Sequence, residues 1–231
     1  MRKSQVFVLL VAVACLSFIA GSFGLRRYSQ YEQAKIAKEA EIAEQAKLNR
    51  QFEAMVAEDS ARTEITLNKV LSGQLSTYTD TLGEFDKDVA SREKAIIGAK
   101  ALPQTFSPEL RQGFVELLAA ENDLANAMRL MTEKERDVAW EQQQAREWRD
   151  HLNEGWEPVS TQRIILEHES GLAHAMYEAP VAANSVLVCL GKTTESEVKF
   201  QGIASRQNVP YSPTVAKVQE KIRSGARKLT Q

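Results

Sequence analysis

The chain is poor in the residues that usually carry chemistry. It has 2 cysteines, 3 histidines and 6 prolines in 231 residues. Cys15 lies in an N-terminal apolar run, which leaves Cys189 alone outside it, so no intrachain disulfide staples the rest of the chain. Cys189 sits among Val186, Leu187, Val188 and Leu190 and reads as a buried thiol, with interchain pairing as the other option. His168 and His174 are six apart, on different faces of a helix, and Glu167-His168-Glu169 lacks a second histidine four residues on. His151 stands apart from both. No glycine-rich phosphate loop, cysteine-pair metal spacing or nucleophile elbow occurs. The expectation is therefore no enzyme, no metal, no cofactor and no small-molecule ligand. The 29 basic and 31 acidic residues nearly cancel, which excludes the broad basic field of a nucleic-acid binder.

Long apolar runs are also absent, with one exception at the N-terminus. Arg2 and Lys3 precede a stretch from Val6 to Phe23 carrying Val6, Phe7, Leu9, Leu10, Leu16, Phe18, Ile19 and Phe23. A spanning helix needs about 20 mostly apolar residues, so this stretch is long enough to cross a bilayer with little tilt. Arg26, Arg27, Tyr28 and Tyr31 follow where cations and tyrosines anchor at the headgroups. We read residues 1–27 as a single transmembrane anchor that exports the remainder. Ala20-Gly21-Ser22 also suits signal cleavage, and Val11-Ala12-Val13-Ala14-Cys15 resembles a lipoprotein box in which Cys15 would be lipidated. The expected location is thus a membrane, with the bulk extracytoplasmic, periplasmic in a bacterium.

Residues 28–156 read as a helical stalk followed by a hairpin or coiled coil. No proline occurs between Tyr28 and Ala101, and residues 32–58 are rich in Ala, Glu, Gln and Lys. Leu71, Leu75, Tyr78, Leu82, Phe85, Val89, Arg92 and Ile96 then recur in steps of four and three, the spacing of a helix seam. Gly73, Gly83 and the Ser76–Thr81 cluster predict a kink near 72–83. A break follows at 102–108, with Ser107 as N-cap and Pro108 as first helical residue. A second seam runs through Leu110, Phe114, Leu117, Glu121, Leu124, Met128, Met131, Glu135 and Val138. The two seams are expected to fold back on each other or to pair between chains.

Gly155-Trp156-Glu157-Pro158 ends that helix, and residues 157–231 read as a small mixed α+β module. Strand and helix are both open for 161–168, Ser185–Leu190 and Glu197–Ile203 are strand candidates, and Pro180 closes a short helix. A last amphipathic helix carries Lys217, Lys221, Arg223, Arg227 and Lys228 opposite Val215, Val218, Ile222, Ala226 and Leu229. Those cations, with Trp148 and Trp156, are the candidate partner contacts. The expected fold is mainly α. The expected function is a non-enzymatic, membrane-anchored scaffold or adaptor working through protein partners or self-association. A ligand-sensing bundle acting through a partner is the alternative, and an envelope hydrolase a minor one.

Overall fold

A computed structural model describes residues 3–230, with side chains from residue 30 onward. Five helices follow in order: α1 (Lys3–Leu71), α2 (Tyr78–Lys100), α3 (Pro108–Asn153), α4 (Pro158–Arg206) and α5 (Val215–Lys228). The anchor side chains from Val6 to Phe23, and those of Arg26, Arg27 and Tyr28, lie outside the described residues. Among the described residues no helix is long and apolar enough to cross a membrane. The chain divides into two units, residues 1–50 and 51–231.

In the first unit the described side chains are almost all in solvent, including Tyr31, Ile36 and Ile42. Local pairs such as Lys35–Glu39 (3.9 Å) and Gln45–Asn49 (3.1 Å) join side chains one turn apart. The apolar positions of this stretch are mostly alanine and bury little.

The second unit is a helical bundle whose ends are set by local chemistry. Thr77 caps α2, accepting from the Asp80 amide, and its hydroxyl donates to the Asp80 carboxylate. Ser107 caps α3 in front of Pro108, as expected. Gly155 ends α3 at φ 90°, with the Trp156 amide donating to the His151 carbonyl and the Gly155 amide to that of Leu152. Asn208 closes α4 the same way. Glu157 caps α4 through the Val159 and Ser160 amides.

Residues 51–71 of α1, α2, the first half of α3 and the second half of α4 pack together, and α5 packs on α4. Their seams stack in three layers. An aromatic layer joins Phe52, Phe106, Phe114, Phe200 and Tyr211, with ring centroids 4.9–5.5 Å apart between successive neighbours. An aliphatic layer at the far end joins Leu67, Phe85, Leu124, Met128, Val186, Leu190, Ile222 and Ala226. Between them lies a layer of charge, described below. From Thr132 to Asn153 the cross-helix contacts of α3 run to α4. Lys134 pairs with Glu178 (2.6 Å), Glu141 with His168 (2.8 Å), and Arg149 with Glu169. This two-helix arm extends about 33 Å at 1.5 Å per residue.

The second seam holds along its length. Leu110, Phe114, Leu117, Leu124 and Met128 are buried, while Met131 and Val138 are half-buried. The first seam is broken: α1 stops at Leu71, Leu75 lies in the 72–77 turn, and Tyr78 is 40% exposed. The kink is a full chain reversal around Gly73 (φ 69°), so Leu71 and Phe85 meet in the aliphatic layer from opposite directions. Val89 packs there too, and Leu82 and Ile96 are half-buried.

The expected α+β module is not found: the described residues contain no strand, and 158–206 is one 49-residue helix. β-branched clustering at Val186–Leu190 suggested strand, but the burial repeat through Ala179, Ala183, Val186, Leu190, Thr193, Glu197, Phe200 and Ala204 is helical. Pro180 lies inside this helix rather than ending it. Its missing amide removes the bond to the Met176 carbonyl. Burial of Ala175 and Ala179 before it, and of Ala182, Ala183 and Val186 after it, holds both flanking turns in place.

Candidate functional site

Four charged side chains from three helices meet in the middle layer, each at least 95% buried: Asp59 from α1, Asp88 and Arg92 from α2, and Glu121 from α3. The spacing that buries leucines elsewhere on these helices buries charge here. Arg92 donates to Asp88 Oδ2 (2.8 Å), Thr63 Oγ1 (2.9 Å) and the Glu121 carbonyl (3.4 Å). Its Nε lies 3.3 Å from Glu121 Oε2 and 3.7 Å from Asp59 Oδ1, with no hydrogen-bond partner of its own.

Three carboxyls surround one guanidinium in this layer. Burial pushes Glu121 well above the usual carboxylate range, and the negative charge of Asp59 adds to this. Burial also raises Asp59, opposed by Arg92 and by its hydrogen bond with Glu121. The hydrogen bond between the two raises Glu121 and lowers Asp59, so Glu121 is the more reluctant of the pair to ionise. Arg92 stays charged, because its three acidic neighbours outweigh its own desolvation.

On the α4 side of the core, Glu197 is fully buried. Its Oε1 accepts from the amides of Thr214 (2.6 Å) and Val215 (2.8 Å), and Oε2 from that of Ala216 (2.8 Å). A carboxylate thus caps α5 from another helix, at the positive end of its dipole. Burial beside this acidic layer drives the Tyr211 hydroxyl pKa upward. Asp59 Oδ1, Asp88 Oδ1 and Glu121 Oε2 also lack hydrogen-bond partners, and among the described residues no group of His, Cys, Asp or Glu is arranged to hold a metal.

Beside this layer an open groove of about 460 Å³ runs between α1 and α2, lined by Ala61, Ile65 and Thr66 and by Glu58, Arg62, Glu84 and Lys87. Glu84 is drawn below the usual carboxylate range by hydrogen bonds from Lys69 and Lys87.

The expected contact residues fall at two separate places. At the tip of the arm His151 stacks on Trp156 (4.2 Å), and Trp148 meets Trp156 edge-on (6.2 Å). Trp156 remains 49% exposed. On α5, Val215, Ile222 and Ala226 are buried, while Lys217, Lys221, Arg227 and Lys228 are exposed. Arg223 is half-buried and paired with Glu220. Cys189 is half-buried against the aliphatic layer, and burial raises its thiol pKa. Arg92 and Glu121 were visible in the sequence as polar seam positions. Asp59 and Glu197 were missed, although Phe52, Val56, Asp59, Thr63, Thr66 and Val70 carry the same four-and-three steps.

The site and fold together define an all-α bundle with a buried ionic layer and a projecting two-helix arm. No family model matches the chain, and no curated protein or solved structure matches it significantly.

Proposed function

We propose that this chain is a non-enzymatic, membrane-anchored scaffold or adaptor whose bundle and arm act outside the cytoplasm. The observation that carries the reading is the number of large apolar side chains left exposed on α3, on α4 and in the connection between them. Leu130, Trp140, Trp156, Val159, Leu166, Met176, Tyr177, Val181 and Val188 are all at least 42% exposed. An unusual number of large apolar side chains in solvent on a folded domain is the kind of surface that contacts another macromolecule. The ionic layer supports the same reading, because Arg92 is engaged by Asp88, Glu121 and Asp59 and all four side chains are at least 95% buried. The apolar run at 6–23, flanked by basic residues, supports the anchor.

The test is fractionation and protease accessibility of the full chain in cells, followed by site-specific crosslinking from Tyr177 and Trp156. A membrane-bound, protease-exposed chain with crosslinks at these positions is expected. Release into the soluble fraction without any cut form would refute the anchor. Absence of crosslinks from both positions would refute the adaptor. The groove between α1 and α2 favours a second reading, a ligand-sensing bundle. Its test is protection of Ile65→Cys from thiol reagents by candidate small molecules, which an empty groove would not give.

A further inference from the structure

The outer face of α4 carries a pattern that its core face does not require. At about 3.6 residues per turn, Leu166, Ser170, Ala173, Tyr177, Val181, Asn184 and Val188 lie on one side, opposite the buried Ala175, Ala179, Val186 and Leu190. All seven are exposed, with Tyr177 76%, Val181 57% and Val188 58% in solvent. Their spacing is mirror-symmetric about Tyr177. Apolar residues stand four and eleven positions to either side, and a polar residue stands seven positions to either side. Two successive four-residue steps at the centre give an eleven-residue period, which keeps the stripe on one side of a straight helix.

We propose that this face pairs with the same face of a second copy, antiparallel, about a two-fold axis at Tyr177. The proposal rests on the adaptor reading and names the partner of its apolar surface. A two-fold interface sets each residue against its mirror position. Leu166 meets Val188 of the other copy, Ser170 meets Asn184, Ala173 meets Val181, and Tyr177 meets its counterpart. Beyond the stripe, Arg163 and Glu195 lie near opposite ends of the same face. Antiparallel pairing brings them within about a turn of each other across the interface, where Arg163 exchanges its exposed partner Glu167 (3.0 Å). Parallel pairing sets Arg163, Lys192 and Glu195 each against its own copy, three like-charge contacts, whereas antiparallel pairing places Arg163 near both Lys192 and Glu195 of the other copy, so charge favours the antiparallel arrangement. From Val159 to Glu195 the face is about 54 Å long and about 10 Å wide. That is on the order of 500 Å² per copy, reaching the roughly 1,000 Å² total that a specific interface needs.

The test uses the full chain in mild detergent, with Cys15 and Cys189 replaced by serine. Tyr177→Cys should crosslink to itself, and a mixture of Leu166→Cys and Val188→Cys chains should crosslink to each other. Val188→Cys alone should not, because the mirror places its counterparts about 33 Å apart. In the chain without new cysteines, Tyr177→Lys should weaken the dimer about 100-fold or more, read as molar mass against concentration in analytical ultracentrifugation, with unchanged far-ultraviolet circular dichroism. Self-crosslinking at Val188 would overturn the antiparallel register. A monomeric parent chain would overturn the dimer. If that monomer still crosslinks to another protein in cells through Tyr177, the adaptor reading stands and only the self-pairing falls.

Discussion

Replacing Arg92 with methionine tests the ionic layer most directly. The guanidinium is 1% exposed and is the single cation among Asp59, Asp88 and Glu121. Methionine fills similar space but leaves Asp88 Oδ2 and Thr63 Oγ1 without their donors and the surrounding carboxyls without a counter-charge. Breaking a buried pair by removing one partner costs about 3–5 kcal/mol. The folded variant relieves part of this by binding one more proton. Each pH unit over which the folded state holds a proton that the unfolded state has lost is worth about 1.4 kcal/mol. Between pH 7 and pH 4 one proton therefore recovers up to about 4 kcal/mol, enough to erase most of the defect. The assay is denaturant unfolding of the full chain in mild detergent at both pH values. It is followed by circular dichroism and by the fluorescence of Trp140, Trp148 and Trp156, which report on α3 and its connection to α4. A loss of about 3–5 kcal/mol at pH 7 that shrinks to about 1 kcal/mol at pH 4 is expected. A variant within about 1 kcal/mol of the parent at pH 7, or a gap that does not narrow in acid, would refute a dry layer in which Arg92 offsets the buried carboxyls.

Glu121→Gln keeps a donor toward Asp59 but cannot lose a proton. Because the folded-state pKa of Glu121 is raised, its contribution is fully present below the ordinary carboxylate range and is lost as pH rises; the variant should therefore gain on the parent between pH 4 and pH 8 in thermal melts. Glu197→Ala leaves three backbone donors of the α5 N-terminus without an acceptor, and should cost about 3–5 kcal/mol by the charged hydrogen bonds lost. It should also release α5, so that trypsin cuts at Arg223 and Arg227 at least ten times faster than in the parent; equal cutting rates would show that α5 docks without Glu197. Gly113→Ala places a Cβ 2.7 Å from Ile203 Cδ1 and should cost about 1–3 kcal/mol. In an Ile203→Val background the obstructing methyl is gone, and the same substitution should become neutral or stabilise by up to about 1 kcal/mol, as Ala does over Gly in a helix. Additive effects of the two changes in unfolding curves would show that the contact is not what limits position 113.

The seam of α3 was legible because its steps of four and three run unbroken from Leu110, with a Ser107-Pro108 start and a Gly155 stop that each have a local cause. The α1–α2 reversal was not, because Leu71, Leu75 and Tyr78 keep seam spacing straight through a turn. There Gly73 and Thr77 outweighed periodicity. In α4 the difficulty was apolar residues on both sides of the helix. Val186 and Leu190 face the core while Val181 and Val188 face solvent, and together they imitate the continuous run of a buried strand. The charge layer was half legible, since Arg92 and Glu121 stood out as breaks in apolar seams. Asp59 and Glu197 needed α1 and α4 to be placed beside them.

The position of that layer bears on why the bundle adopts one register. Seams built from four-and-three steps repeat every seven residues, so a helix shifted by one repeat, about 10.5 Å, still presents a seam to its neighbours. In an all-apolar bundle such a shift would cost little. Here a shift of residues 51–71 carries Asp59 out of the charged layer and against Phe52's ring neighbours or against the Leu124–Met128 shelf. A buried carboxylate moved away from Arg92 costs several kcal/mol. Shifting α4 strands Glu197 likewise and strips α5 of its cap. The aromatic and aliphatic layers supply the burial that holds the helices together, and the charge between them penalises every alignment but one.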